Sequence, residues 1–156
     1  MGEMRVRAFG TPKGQPRTEM FFRHKGKPFL YTPGTANEWK SDIAGAFERY
    51  WTDNGKKDWF PLAGPIRLHV VFYMARPKSH FRVLKGKAPE LKSSSPPEPI
   101  GKPDMDNLLK AVMDAVTGVG VWGDDCQVIE VLGEKLYAVN ESGASIKITW
   151  RDADNS

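Results

Sequence analysis

The stretch that decides the fold is KPDMDNLLKAVMDAVTGVGVWGDDCQVIE, from Lys102 to Glu130. Five aspartates fall in it, at 104, 106, 114, 124 and 125. Pro103 removes a backbone donor and biases Lys102 toward extended geometry. Where the chain is extended, side chains two apart share a face, so Asp104 and Asp106 point the same way; inside a helix they would diverge by about 200°. Asp106 is therefore read as the N-cap of a helix beginning at Asn107, where a carboxylate also gains from the helix dipole. Leu108, Leu109, Ala111, Val112, Met113, Ala115 and Val116 then cover a broad apolar face, which predicts a largely buried helix. Gly118, Gly120 and Gly123 stop it, and Asp124-Asp125 leads into a strand from Cys126 to Val131.

If that strand packs beside the start of the helix, the second acidic pair lands near the first. Carboxylates gathered in one place repel one another unless a cation sits between them. Hard oxygen donors of this kind suit Mg²⁺ or Mn²⁺ rather than zinc. Asp106, Lys110 and Asp114 fall on one polar stripe at i, i+4 and i+8, so Lys110 also reads as an ordinary ion-pair partner of Asp114 or Asp106. An EF-hand is excluded: the positions where that loop needs a further ligand, a glycine and a glutamate hold Leu108, Leu109 and Ala115. Cys126 is read as a small core residue and Trp122 as a core anchor.

Outside this stretch, Arg5–Gly10 reads as a strand, and EMFFRH and PFLYT flank Lys25-Gly26-Lys27 as a hairpin. Thr35 with Glu38 matches a capping box. Ala36, Trp39, Ile43, Ala46, Phe47 and Tyr50 recur at helical spacing, which predicts a helix over about 36–51. Ile66, Leu68, Val70, Phe72 and Met74 alternate as one buried face of a strand. Residues 76–103 hold six prolines, three consecutive serines and seven Lys or Arg against two acids. No periodicity survives there, so the segment is expected to be a long basic loop that either wraps a phosphate backbone or is disordered. Gln127–Tyr137 and Ser145–Trp150 complete the strands. Element order predicts one α+β domain on a mostly antiparallel sheet, with a short flexible tail at 152–156.

The 156-residue length fits that single domain. The charge is divided: residues 1–100 carry 18 Lys and Arg against 9 Asp and Glu, and residues 101–156 carry 5 against 10. Such asymmetry suggests a basic surface for a polyanion beside an acidic pocket, or simply two differently charged solvated faces. No apolar run is long enough to span a membrane, and MGEMRVRAFG lacks a signal-peptide apolar core. One cysteine excludes an internal disulfide and fits a reducing cytoplasm.

KPDMDNLLKAVMDAV together with VWGDDCQVIE resembles the RusA family of Holliday-junction resolvases, which are small Mg²⁺-dependent endonucleases. GTPKGQPR at the N-terminus and the strand followed by RPKSH look like the same family, so the resemblance covers roughly residues 4–150. Its most specific part is D-x-D-N-L-x-K, D-A and D-D-x-Q-V in that order. The resemblance implies a homodimeric α+β protein that binds four-way DNA junctions and makes paired nicks in recombination and repair, often phage- or prophage-encoded. It implies catalytic carboxylates at Asp104, Asp106 and Asp125, a lesser acid at Asp124 and a functional lysine at Lys110. The loop at about 78–101 is longer than in the shortest members. Phosphate contacts are expected from Lys13, Arg17, Arg76, Lys78, Arg82, Lys85 and Lys87. The rival readings are a flap or fork nuclease, a junction-binding protein with a structural metal, and a protein-interaction module.

Overall fold

Two strands at the centre of the sheet, β4 (Ile66–Met74) and β8 (Gly143–Trp150), set the layer on which everything else is built. Ile66, Leu68, Val70 and Phe72 alternate along β4, and Ala144, Ile146, Ile148 and Trp150 along β8; all are buried. The two strands pair antiparallel with Val70 opposite Ile146 and Leu68 opposite Ile148, so the apolar rows of both fall on one face. The computed structural model describes residues 2–16, 19–22, 28–31, 34–55 and 60–151.

β1 (Gly2–Phe9) pairs antiparallel with the other side of β8, bringing Met4, Val6 and Ala8 into the same apolar layer. The sheet order is β1-β8-β4-β7, with β7 spanning Val128–Tyr137 at the far edge. β7 runs parallel to β4, with a register irregularity between Ile66–Val128 and Arg67–Glu130. The sheet is thus mostly antiparallel, as expected, with one parallel pair whose strands are joined by a long crossover through the second helix.

Helix α1 (Asn37–Asn54) buries Trp39, Ile43, Phe47 and Trp51 at successive turns of one face. Each such side chain stabilises the fold by about 1.5–3 kcal/mol relative to exposure. The predicted Thr35–Glu38 capping box does not form: Ala36 occupies the N-cap with no side-chain bond, since the helix starts one residue beyond where Thr35 could cap it. Gly55 ends α1 in the left-handed region, φ 62°, its N–H reaching Trp51 O at 2.7 Å.

Helix α2 (Met105–Val119) buries Leu108, Ala111, Val112, Ala115 and Val116 against α1 and the sheet. It stops at Gly120, φ 90°. Trp122 then anchors the exit, buried as expected, with its indole N–H donating to Thr117 Oγ1 at 2.7 Å.

Two short antiparallel pairs lie apart from the main sheet. β2 (Glu19–Phe22) pairs with β3 (Pro28–Tyr31) as the predicted hairpin; its Lys25-Gly26-Lys27 turn lies outside the described residues, as does the tail 152–156. Residues 76–103 are not structureless. They form a 3-10 helical turn, Lys78–His80, and a small hairpin of β5 (Phe81–Arg82) with β6 (Glu90–Leu91). Local polar bonds hold the segment where apolar periodicity cannot: His80 O accepts from Ser95 Oγ at 2.7 Å and from Lys92 N at 2.9 Å.

Candidate functional site

Asp104, not Asp106, occupies the N-cap position of α2, in extended geometry at φ −70° and ψ 146°. Its carbonyl accepts from Leu108 N at 3.0 Å, so the helix starts immediately after the Pro103–Asp104 step. Asp106 therefore stands in the first helical turn, and the two carboxylates do not share an extended face as the sequence suggested. Both still lie at the positive end of the helix dipole, which favours negative charge. Lys102 Nζ is 3.8 Å from Asp104 Oδ2, and Asp106 Oδ1 accepts from Asn107 N at 2.9 Å.

The segment after β1 packs onto this turn. Gln15 N donates to Asn107 O at 2.9 Å, and a Cβ on Gly14 would lie 2.9 Å from Asn107 Cβ, so only glycine allows the approach. Lys13, exposed, thereby stands next to the acidic turn. Gln15 is buried, and its Oε1 has no hydrogen-bond partner among the described residues. Lys110, one turn beyond Asp106, is exposed and lies 3.6 Å from Asp114 Oδ1, the ordinary i, i+4 pair that the sequence allowed.

Asp124 and Asp125 open a 3-10 helical turn, Asp125–Gln127, which intervenes before β7. Asp124 Oδ1 accepts from Cys126 N at 2.9 Å, while Gln127 Oε1 accepts from Asp124 N at 3.1 Å and Gly123 N at 2.9 Å. Gln127 Nε2 donates to Leu62 O and Gly64 O, tying the turn to the segment ahead of β4. The Cys126 backbone N–H holds the Asp124 carboxyl below the ordinary aspartate value. Cys126 is exposed, not a core residue, because it lies in this turn ahead of β7 and not within the strand. Its thiol is pushed up, first by its bond to Asp124, then by desolvation and the neighbouring carboxylates.

The two acidic pairs do not meet within one chain. β7 runs back along α2: a Cβ on Gly133 would fall 2.8 Å from Met105 Sδ and 3.2 Å from Leu109 Cδ1. Lys135 Nζ reaches Gly101 O at 2.8 Å and Pro103 O at 2.9 Å. The C-terminal half of β7 therefore lies at the start of α2, and its first residue lies at the other end. A 15-residue helix is roughly 20 Å long, which separates Asp104 from Asp125. Among the described residues, no group of three or more His, Cys, Asp or Glu could hold a metal ion. The expected convergence fails because the strand returns antiparallel to the helix instead of starting beside its first turn.

Of the basic residues singled out, Arg17 lies outside the described residues. Arg76 is committed to structure: its guanidinium sits 4.2 Å over the Tyr137 ring and donates to Pro96 O at 2.9 Å. Arg82 faces Glu90 at 3.8 Å across the β5–β6 hairpin. Lys78, Lys85 and Lys87 are exposed along it, the last two in a turn closed by Lys87 N on Leu84 O. Because Arg76 and His80 both contact Tyr137, the basic arm is rooted at the end of β7 that adjoins Asp104. Sequence reasoning missed Lys135, which braces the entry to the acidic turn; a lone lysine in a strand carries no signal of that role.

Residues 10–149 match the sequence model of a family described as Endodeoxyribonuclease RusA. The chain is also 28% identical over 130 residues to the Uncharacterized protein YqaN of Bacillus subtilis (strain 168), covering 83% of this chain and 84% of that protein. No helix among the described residues is long and apolar enough to cross a membrane.

Proposed function

The chain belongs to the RusA family of endodeoxyribonucleases, and we propose that it resolves four-way (Holliday) DNA junctions as a homodimer, by paired Mg²⁺-dependent nicks. The observation that carries this reading is the placement of Asp104 and Asp106 at the positive end of α2 beside a basic hairpin rooted at the same end.

The donor chemistry fits a small hard cation. Mg²⁺ is usually held by one or two carboxylates, with substrate phosphate and water completing its shell. Asp104 and Asp106 supply such a pair, and the unpartnered Gln15 Oε1 leaves a further hard oxygen on the segment packed against them. Mn²⁺, with the same ligand preference, is expected to substitute. When bound, the ion would polarise the phosphoryl oxygens and lower the pKa of a water.

The chain's own residues do the rest. Lys110 lies one helical turn from Asp106 and, on leaving Asp114, can place its ammonium against the charge that develops on the scissile phosphate or leaving oxygen. Lys13, Lys78, Lys85 and Lys87 track the backbone of an incoming arm, giving affinity without sequence information. A two-fold dimer presents two identical sites to two strands of like polarity in a pseudo-symmetric junction.

The test is a labelled mobile four-way junction incubated with purified protein in Mg²⁺ or in EDTA and resolved on a denaturing gel. Symmetric nicks in Mg²⁺ alone support the reading. Preference for a flap or fork over the junction at equal salt would replace the substrate, and binding without nicks would remove the catalysis.

A further inference from the structure

β8 begins at Gly143, which stands opposite Phe9 of β1 on one side and opposite Tyr73 of β4 on the other. Residues in register across neighbouring strands share a face. Phe9 and Tyr73 therefore flank a position without a side chain, on the sheet face opposite the apolar rows. Arg7, two residues before Phe9 on that face, fills the gap. Its guanidinium carbon lies 4.8 Å from the centre of the Phe9 ring and 4.5 Å from that of Tyr73, both within cation–π range. Its Nη2 donates to Glu141 O at 3.0 Å, which ties it to the turn between β7 and β8. A Cβ on Gly143 would fall 3.0 Å from Arg7 Nη1 and 2.1 Å from Ala8 O, so the arrangement requires glycine there.

This aromatic wall is built but left uncovered: Phe9 is 51% exposed and Val139, in the turn, 96%. Two open clefts, of about 690 and 540 Å³, share Phe9 and Val139 as lining. Arg7 and Tyr73 line the larger, Arg76 and Phe81 the smaller. Among the described residues neither arginine is paired with a carboxylate, and Glu141 is the one acid lining either cleft, so the charge is positive on balance. The clefts also open at the Asp104 end of the molecule. Tyr137, which lines the larger, is two residues beyond Lys135, and Lys135 bonds Pro103 O.

Rings and flat guanidinium groups in a positive groove suit an unpaired strand, because every base has a π face to stack and the cations draw its backbone. Bases stacked within a duplex offer no such face. An apolar peptide anchor fits less well, since Arg7 fills with charge the gap that would have to take it. We propose that these clefts bind an unpaired DNA strand, with Phe9, Tyr73 and Arg7 as the stacking surface. The choice of DNA rests on membership of an endodeoxyribonuclease family; the stacking does not depend on the nicking proposed above.

The test is fluorescence anisotropy in EDTA, which removes metal and with it any cleavage. The probes are a labelled thymidine strand of about twelve nucleotides, the same strand with abasic sites, and a duplex of equal length, all at one salt concentration. The wild type is expected to prefer the thymidine strand. Phe9→Ala should weaken that binding about tenfold and leave duplex affinity unchanged, and Phe9→Trp should restore it. Phe9 is half exposed, so the substitutions leave the core alone, and an unchanged urea midpoint verifies this. Equal affinity for the abasic strand, or full affinity in Phe9→Ala, overturns the stacking. A wild type without preference for the single strand also overturns the proposal and gives the clefts to a protein partner. Phe9→Ala that keeps the strand but sediments lighter than the wild type overturns it too, in favour of a second copy of the chain. A wild type that holds the single strand in EDTA yet nicks no branched DNA in Mg²⁺ overturns the proposed function and leaves this site standing.

Discussion

Lys135 Nζ donates to the carbonyl oxygen of Pro103 at 2.9 Å, joining the edge strand β7 to the residue that precedes Asp104. A second bond, to Gly101 O, fixes the approach to α2 from the same ammonium. The position of the first acidic residue therefore depends on a strand more than thirty residues further along the chain. Replacing Lys135 by Met keeps the stem and removes both bonds. A hydrogen bond from a charged donor contributes about 1.5–3 kcal/mol, and partial exposure here puts the loss toward the low end, about 2 kcal/mol in all. Urea unfolding followed by tryptophan fluorescence measures it, and an unchanged midpoint would show that the bonds are not needed.

Asp104→Asn and Asp106→Asn each remove a charge from the proposed ion site. The loss of several kcal/mol of transition-state stabilisation corresponds to a fall in single-turnover cleavage on the order of 100-fold or more. Junction affinity measured in Ca²⁺ should stay within a few-fold, because the DNA backbone is held by the basic arm. Wild-type cleavage by either variant in Mg²⁺ would remove that residue from the site.

Asp124 couples the turn before β7 to pH. Its carboxyl is held below the ordinary value of 3.8 by the Cys126 N–H. A depressed folded-state value means that the stabilisation is complete above the unfolded-state value and is lost as pH falls through the folded one. The turn should therefore be indifferent to pH between about 5 and 8 and loosen only below the ordinary aspartate range. Asp124→Asn should also free the Cys126 thiol, which that carboxylate pushes up, so that labelling by a thiol reagent at about pH 8 speeds up. Equal labelling rates in the two proteins would mean that Asp124 does not govern the thiol.

Lys85→Gln with Lys87→Gln should weaken junction binding and flatten the slope of log affinity against log salt by about one for each phosphate no longer neutralised. Arg76→Ala should behave differently. Its guanidinium is occupied by Tyr137 and Pro96, so stability falls by roughly 1 kcal/mol while the salt slope stays near its original value. Fluorescence anisotropy across a salt series distinguishes the two outcomes.

Where side chains repeat at a fixed period, sequence and structure agree. Trp39, Ile43 and Phe47 announced α1, and Ile66 to Phe72 announced the inner face of β4, because periodicity reports directly on which face meets the core. The acidic pairs were legible as residues but not as a site. Whether β7 starts beside the head or the foot of α2 is decided by the parallel pairing of Ile66 with Val128 and by the bond from Leu62 N to Val121 O. Neither leaves a local trace. The helix start slipped by two residues because Asp104 and Asp106 are equally good capping types. Residues 76–103 looked formless because bonds such as Ser95 to His80 hold them, and no hydrophobic pattern records such bonds.

β1 and β4 never touch in the main sheet; β8, the last strand in chain order, lies between them and pairs with both. A nascent chain that has not yet made β8 thus holds β1 apart from the β4–β7 pair, with an open slot between them and the apolar rows of Val6 and Val70 left without the strand that joins them. Productive closure must wait for β8 itself, so deleting these eight residues should be far more damaging than their number suggests.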